Sequence, residues 1–173
     1  MSLRICILET DILRPELIER YEGYGRLLGV CFGHQLLALL LGGKAERASQ
    51  GWGMGIHQYQ LNERADWMSP ALPDLTLLIS HQDQVTRLPE NARVIASSDF
   101  CPYAAYAIGD QVLCFQGHPE FVHDYSRELL ELRQQHLGEE LYRKGVDSLA
   151  GDHQGTVVAE WMMRFVARQP TGA

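Results

Sequence analysis

Apolar and polar positions along the chain divide it into short buried runs and amphipathic stretches. Leu3 to Leu8, with Arg4 as its one charged position, is a short apolar run of the kind that forms a buried strand. Pro15 opens a helical stretch to Tyr21, with Leu17 and Ile18 on one face and Glu16, Glu19 and Arg20 on the other. Gly23-Tyr24-Gly25 ends it, and Leu27 to Val30 forms a second buried strand that runs into Cys31. From Gln35 to Leu41 the pattern is helical and closes at Gly42-Gly43. The middle of the chain reads as β. Ile56 to Leu61 alternates, Leu75 to Ile79 and Arg93 to Ala96 are buried runs, and Ala104–Ile108 and Gln111–Gln116 flank the hairpin signal Gly109-Asp110. Tyr125 to Leu137 and Thr156 to Arg168 are amphipathic helices, and Gly138 to Gly155 reads as a polar loop with some helical content. The pattern predicts one α/β domain with a parallel core and an antiparallel β portion.

Length and composition narrow the classes. A chain of 173 residues with 46% hydrophobic content suits a single domain over 1–173, its core segments at 26–132 and a C-terminal helical appendage at 138–173. No apolar run approaches the ~20 residues of a membrane helix, and the N-terminus does not resemble a secretion signal. A cytoplasmic protein without membrane contact is expected. Fifteen basic against 22 acidic residues give a net charge of −7, with the arginines scattered singly, so a nucleic-acid partner is excluded. The cysteines, Cys6, Cys31, Cys101 and Cys114, read as reduced thiols, and no CxxC or zinc spacing occurs.

Gly29-Val30-Cys31-Phe32-Gly33 carries the first chemical signal. A strand turning sharply into a helix strains the residue at the turn, and glycines two before and two after keep the turn free of clashes. Such an elbow exposes a nucleophile at the carboxyl edge of a parallel sheet, and the helix N-terminus behind it favours a thiolate. On the local pattern alone, a buried core thiol with packing glycines remains an alternative. The second signal is Gln116-Gly117-His118-Pro119-Glu120. Pro119 holds His118 extended, and side chains two apart then face the same way, which sets Glu120 beside the imidazole as an orienting carboxylate.

These two segments, together with Ser80-His81-Gln82-Asp83-Gln84-Val85, resemble the class I (triad) glutamine amidotransferases, in particular stand-alone relatives of the GMP synthase glutaminase domain. The resemblance covers Arg26 to about Leu132. It implies a flavodoxin-like α/β fold, a mostly parallel sheet with helices on both faces and a smaller antiparallel β portion. It also implies Cys31 as nucleophile, His118 as general base and acid, and Glu120 as its orienting carboxylate. The Phe32 backbone N–H would donate to the oxyanion, and Gln35, Ser80 and Gln82 would lie near bound glutamine. Asp83 matches an acidic position at the mouth facing a partner domain. The implied reaction is hydrolysis of the glutamine side-chain amide through a γ-glutamyl thioester, releasing ammonia to a separate synthetase. Alternatives are a γ-glutamyl peptide or amine hydrolase with the same triad, and a non-catalytic regulatory domain.

Other features carry less. Gly51-Trp52-Gly53-Met54-Gly55 precedes a strand rather than opening a helix, so no dinucleotide cofactor is expected. His34, His57 and His81 lie in separate segments without metal spacing, and no metal is expected either. Cys6 and Cys114 sit in apolar strands as packing thiols. Cys101, near Pro102 in a loop, is open to reaction but has no neighbour to activate it. One departure from the family stands out. Only residues 9 to 30 separate Leu8 from Cys31, room for a single crossover helix. The glycine loop that supplies a second oxyanion donor in the family has no counterpart at the Gly25-Arg26 junction. A natural deletion, an altered junction and residues missing from the sequence all account for it. A real deletion predicts severely reduced glutaminase activity, an exposed sheet edge and homodimerisation.

Overall fold

The computed structural model describes residues 5–7 and 26–168. The helix expected at Pro15–Tyr21 lies outside the described residues. The strands are β1 (Ile5–Ile7), β2 (Arg26–Val30), β3 (Lys44–Arg47), β4 (Gly53–Leu61), β5 (Asp74–His81), β6 (Asp83–Arg87), β7 (Ala92–Ser97), β8 (Ala105–Ile108) and β9 (Val112–Phe115). The helices are α1 (Phe32–Leu40), α2 (His123–Leu137), α3 (Glu139–Ser148) and α4 (Gly155–Ala167). Seven strands form one sheet in the order β1-β2-β9-β8-β7-β4-β5, and β3 pairs with β6 in a separate antiparallel ribbon.

The fold is α/β with helices on both faces of the sheet. Alternation along two central strands separates the faces. Ala107, Leu113 and Phe115 meet Val158, Trp161 and Phe165 of α4, whereas Tyr106, Val112 and Cys114 meet Leu37 and Ala38 of α1. Helix α4, expected as part of an appendage, is thus a wall of the main core. Its Trp161 is fully buried and donates its indole N–H to the Pro70 carbonyl at 2.9 Å. Parallel pairing runs through β1-β2-β9, and the remaining junctions are antiparallel. This parallel portion is narrower than the sequence pattern suggests. From Gly53 to Phe115 no helix interrupts the strands, so no helical crossover is available there to set neighbours parallel.

The segment expected as a loop from Gly138 to Gly155 is largely helical. Its charged surface masks one apolar edge: Tyr142, Val146 and Leu149 join Met54, Leu78 and Leu130 in a third cluster. Close approach makes this packing work. Gly55 has φ +81°, and a Cβ there would lie 2.7 Å from the Gly145 carbonyl oxygen of α3.

The sheet also curls. After β9 the chain crosses to the far edge strand, where the His118 backbone N–H donates to the Leu78 carbonyl at 2.9 Å, an isolated antiparallel bridge. Further along β5, Gln154 N–H donates to Thr76 O at 2.9 Å, and Thr76 N–H donates to Gln154 Oε1 at 2.5 Å. The outer edge of β5 is therefore covered by the returning chain.

Candidate active site

Three chain reversals meet at one end of the sheet. The first is the elbow. Parallel pairing sets the end of β2 beside the end of β9, and Cys31 N–H donates to Phe115 O at 2.9 Å. Cys31 then takes φ 49° and ψ −103°, a conformation that strains any side-chain-bearing residue, and α1 begins at Phe32. Gly29 is needed for close approach, because a Cβ there would sit 2.8 Å from Cys114 Sγ and 2.9 Å from the Gly33 carbonyl. Gly33 differs from expectation. A Cβ at that position meets nothing within 4 Å, so the turn itself does not demand glycine there. Phe32 is 60% exposed, and as the first residue of α1 its backbone N–H has no helical acceptor.

The second reversal follows β9. His118 Nδ1 and Glu120 Oε1 are 2.7 Å apart, and the imidazole also interacts with the Cys31 thiol. Burial alone would lower the His118 pKa. Its hydrogen bonds and charge interactions with Cys31 and Glu120 outweigh that and push it up to about 9. Burial would likewise raise the Glu120 carboxyl, but the hydrogen bond to His118 holds it below its ordinary value. Phe121 stacks on the imidazole, with centroids 3.8 Å apart and 11° between the planes, and favours the charged ring through its π face.

The third reversal is the His81-Gln82-Asp83 corner, where the chain leaves the large sheet for the ribbon. Gln35 ties it to the elbow: Nε2 donates to the Asp83 carbonyl at 2.7 Å and to Gln116 Oε1 at 3.0 Å. Gln116 Nε2 points on to Cys31 Sγ at 3.7 Å. Gln35 thus has its amide donors engaged by protein, not free for a ligand. Ser80 is half-buried on β5 and donates to Met54 Sδ at 3.2 Å, and the Gln82 carbonyl accepts from Ala48 N–H at 3.0 Å. The Asp83 side chain is exposed. Gln116 was not singled out in the sequence. Its signal was a polar residue at a fully buried position directly after an apolar strand. Leucine at Gln35 is expected to cost about 1–3 kcal/mol, since buried Gln116 Oε1 and Asp83 O lose their donor. Denaturant unfolding of Gln35→Leu against wild type measures it, and an unchanged midpoint would refute it.

The remaining candidates are inert. Cys101 is buried rather than accessible, and burial pushes its thiol up to about 12, as it does for Cys114. His34 is fully buried, which lowers its pKa to about 3, and its Nε2 lies 2.8 Å from Tyr103 O. His57 and His81 pack against Phe100 with centroids 4.9 and 6.0 Å away, and burial lowers both to about 4. Among the described residues no group of three His, Cys, Asp or Glu side chains could hold a metal ion, and no helix is long and apolar enough to cross a membrane.

A strained cysteine at a strand-to-helix elbow, an imidazole beside it and a carboxylate on that imidazole form an arrangement suited to acyl transfer on an α/β sheet. The chain belongs to the class I glutamine amidotransferase family, whose model matches residues 13–133. It is similar to gamma-glutamyl peptidase 2 of Arabidopsis thaliana, with 34% identity over 131 residues, 72% of this chain and 52% of that protein. Gamma-glutamyl peptidase 3 of the same plant is 40% identical over 113 residues, covering 61% of this chain and 43% of that one. The glutamine-hydrolysing GMP synthase of Staphylococcus aureus is 40% identical over 110 residues, 60% of this chain and 20% of that protein. The chain thus spans about half or less of the length of these curated relatives. A glutamine amidotransferase structure from Thermotoga maritima superposes with a TM-score of 0.71 at 19% identity, over 88% of this chain and 68% of that one, and shares the fold.

Proposed function

We propose that this protein hydrolyses the side-chain amide of glutamine, or the equivalent γ-glutamyl amide of a peptide or amine, through a Cys31 thioester. The observation that carries the reading is the joined set of Cys31, His118 and Glu120. With the His118 pKa near 9, the imidazole carries its proton at neutral pH, and Glu120 stabilises that charge. Cys31 Sγ, its proton taken by His118, attacks the amide carbon, and the carbonyl oxygen becomes an oxyanion facing the Phe32 N–H. The C–N bond breaks as His118 gives its proton to the leaving nitrogen, which departs as ammonia or an amine. Water then adds to the thioester, its proton passing to His118, and glutamate leaves as sulfur is released.

The likeness to gamma-glutamyl peptidases favours γ-glutamyl peptides as a second substrate class. The likeness to GMP synthases favours glutamine, with ammonia passed to a separate synthetase in the cytoplasm. Among the described residues β1 ends the sheet, an edge that would suit a homodimer. If the Gly25-Arg26 junction is a natural deletion that leaves one oxyanion donor, turnover is expected to fall about 10²–10³-fold below a relative that has two. Treatment with an electrophilic glutamine analogue tests the reading. A single adduct at Cys31, absent in Cys31→Ala and slowed in His118→Ala, is expected by mass spectrometry. A folded sample that takes no label at Cys31 would instead favour a non-catalytic domain.

A further inference from the structure

Arg133, on α2, donates a hydrogen bond to Ser80 Oγ and lies over the Trp52 ring, 5.1 Å from its centroid. It takes part in none of the ion pairs among the described residues, in a chain whose acidic residues outnumber its basic ones by 22 to 15. Ser80 turns its own proton toward Met54 Sδ, so its lone pairs receive the guanidinium. Arg133 is half-buried, and a hydroxyl and an aromatic face as neighbours leave most of its N–H fork unengaged. Desolvating such a cation is unfavourable unless an anion joins it, and the fork matches a carboxylate in two parallel bonds.

Strand β5 relates this cation to the triad. His118 is bridged to Leu78, and Ser80 stands two residues further along the same face, about 7 Å away. Trp52 under the guanidinium and Phe121 stacked on His118 both pack on the cluster of Met54, Leu78, Leu130 and Leu149. Trp52 and Phe121 thus set the guanidinium and the imidazole on one apolar floor.

We propose that Arg133 is a specificity-determining residue that binds a carboxylate of the substrate remote from the amide under attack. This rests on the thioester reading of Cys31. Two carboxylates have this chemistry: the α-carboxylate of the γ-glutamyl group, and the terminal carboxylate of a peptide leaving group.

Steady-state kinetics of wild type, Arg133→Met and Arg133→Lys on L-glutamine, γ-glutamylmethylamide and γ-glutamylglycine separate them. Methionine is expected to raise KM about 10–100-fold with little change in kcat, and lysine to recover part of the loss. An equal rise on all three substrates assigns the α-carboxylate. A rise confined to γ-glutamylglycine assigns the leaving group. Unchanged KM on every substrate, or a fall in kcat alone, overturns the proposal.

Calorimetric binding of L-glutamate, γ-glutamylglycine and uncharged glutaramide to the Cys31→Ala protein, with and without Arg133→Met, reads the same contact without turnover. Weaker binding of either carboxylate ligand, with glutaramide unaffected, supports it. Loss shared equally with glutaramide overturns it, since a purely structural role would act on both. Absence of turnover on all three substrates, together with Arg133-dependent binding, would remove the hydrolase reading and leave the carboxylate site standing.

Discussion

Glycine at Cys31 is expected to abolish turnover and stabilise the fold in the same molecule. Cys31 sits at φ 49° and ψ −103°, where a Cβ costs about 1–3 kcal/mol and glycine costs far less. Part of that relief is offset by the greater freedom of glycine in the unfolded chain, so the net gain is about 1 kcal/mol. Hydrolysis of glutamine or a γ-glutamyl peptide falls by about 10⁴-fold or more, because the remaining groups can orient the substrate but cannot form the thioester. Alanine at the same position separates the two effects: it removes sulfur but keeps the strained Cβ, so activity is lost with no gain in stability. Urea unfolding and initial rates on all three proteins give the comparison. A Cys31→Gly midpoint below that of Cys31→Ala would show that the elbow is not a site of stored strain.

The Glu120→Gln variant should lose about 10²–10⁴-fold in rate and move the alkaline limb of kcat/KM to lower pH. Two of the interactions that raise His118 to about 9 come from the Glu120 carboxylate, and the amide removes its charge. The sign follows from linkage. His118 has a folded pKa above its ordinary 6.5, so the stabilisation from its proton is complete below about 6.5 and is lost as pH rises through about 9. Wild type therefore loses stability across that window relative to Glu120→Gln, whose stability is flatter there. Glu120 is 56% exposed, and solvent screening reduces the size of the stability difference without altering its direction. Rate profiles from pH 5 to 10 and unfolding midpoints at the two ends of the window measure both. An alkaline limb that stays in place would mean that Glu120 does not tune the imidazole.

Residues that determine their own backbone were legible in the sequence, and residues defined by distant neighbours were not. The elbow could be read because Gly29 and Cys31 sit on a strand that must turn, and the turn is where the structure strains the backbone. His118 and Glu120 could be paired because Pro119 between them favours an extended chain, and their 2.7 Å contact follows from that spacing. The ribbon of β3 and β6 was not foreseen, since Lys44, Glu46 and Arg47 are exposed and leave no alternating apolar face to read. Helix α3 was hidden by its charged surface, with its packing edge visible only once Gly55 and Gly145 are seen to touch. Gln116 and Arg133 acquire their meaning from partners 85 and 53 residues away in sequence, across the sheet.

The antiparallel bridge between His118 and Leu78 ties the loop after β9 to the opposite margin of the sheet. Loops that carry reacting groups usually open and close independently of the body of a protein, and their amide protons exchange quickly with solvent. Here the amide of the histidine is sealed onto β5 at Leu78, a residue with no solvent exposure. Its proton should therefore exchange with deuterium as slowly as those of the central strands, through unfolding of the whole sheet. On that expectation, His118 is held by the same cooperative unit that keeps the protein folded.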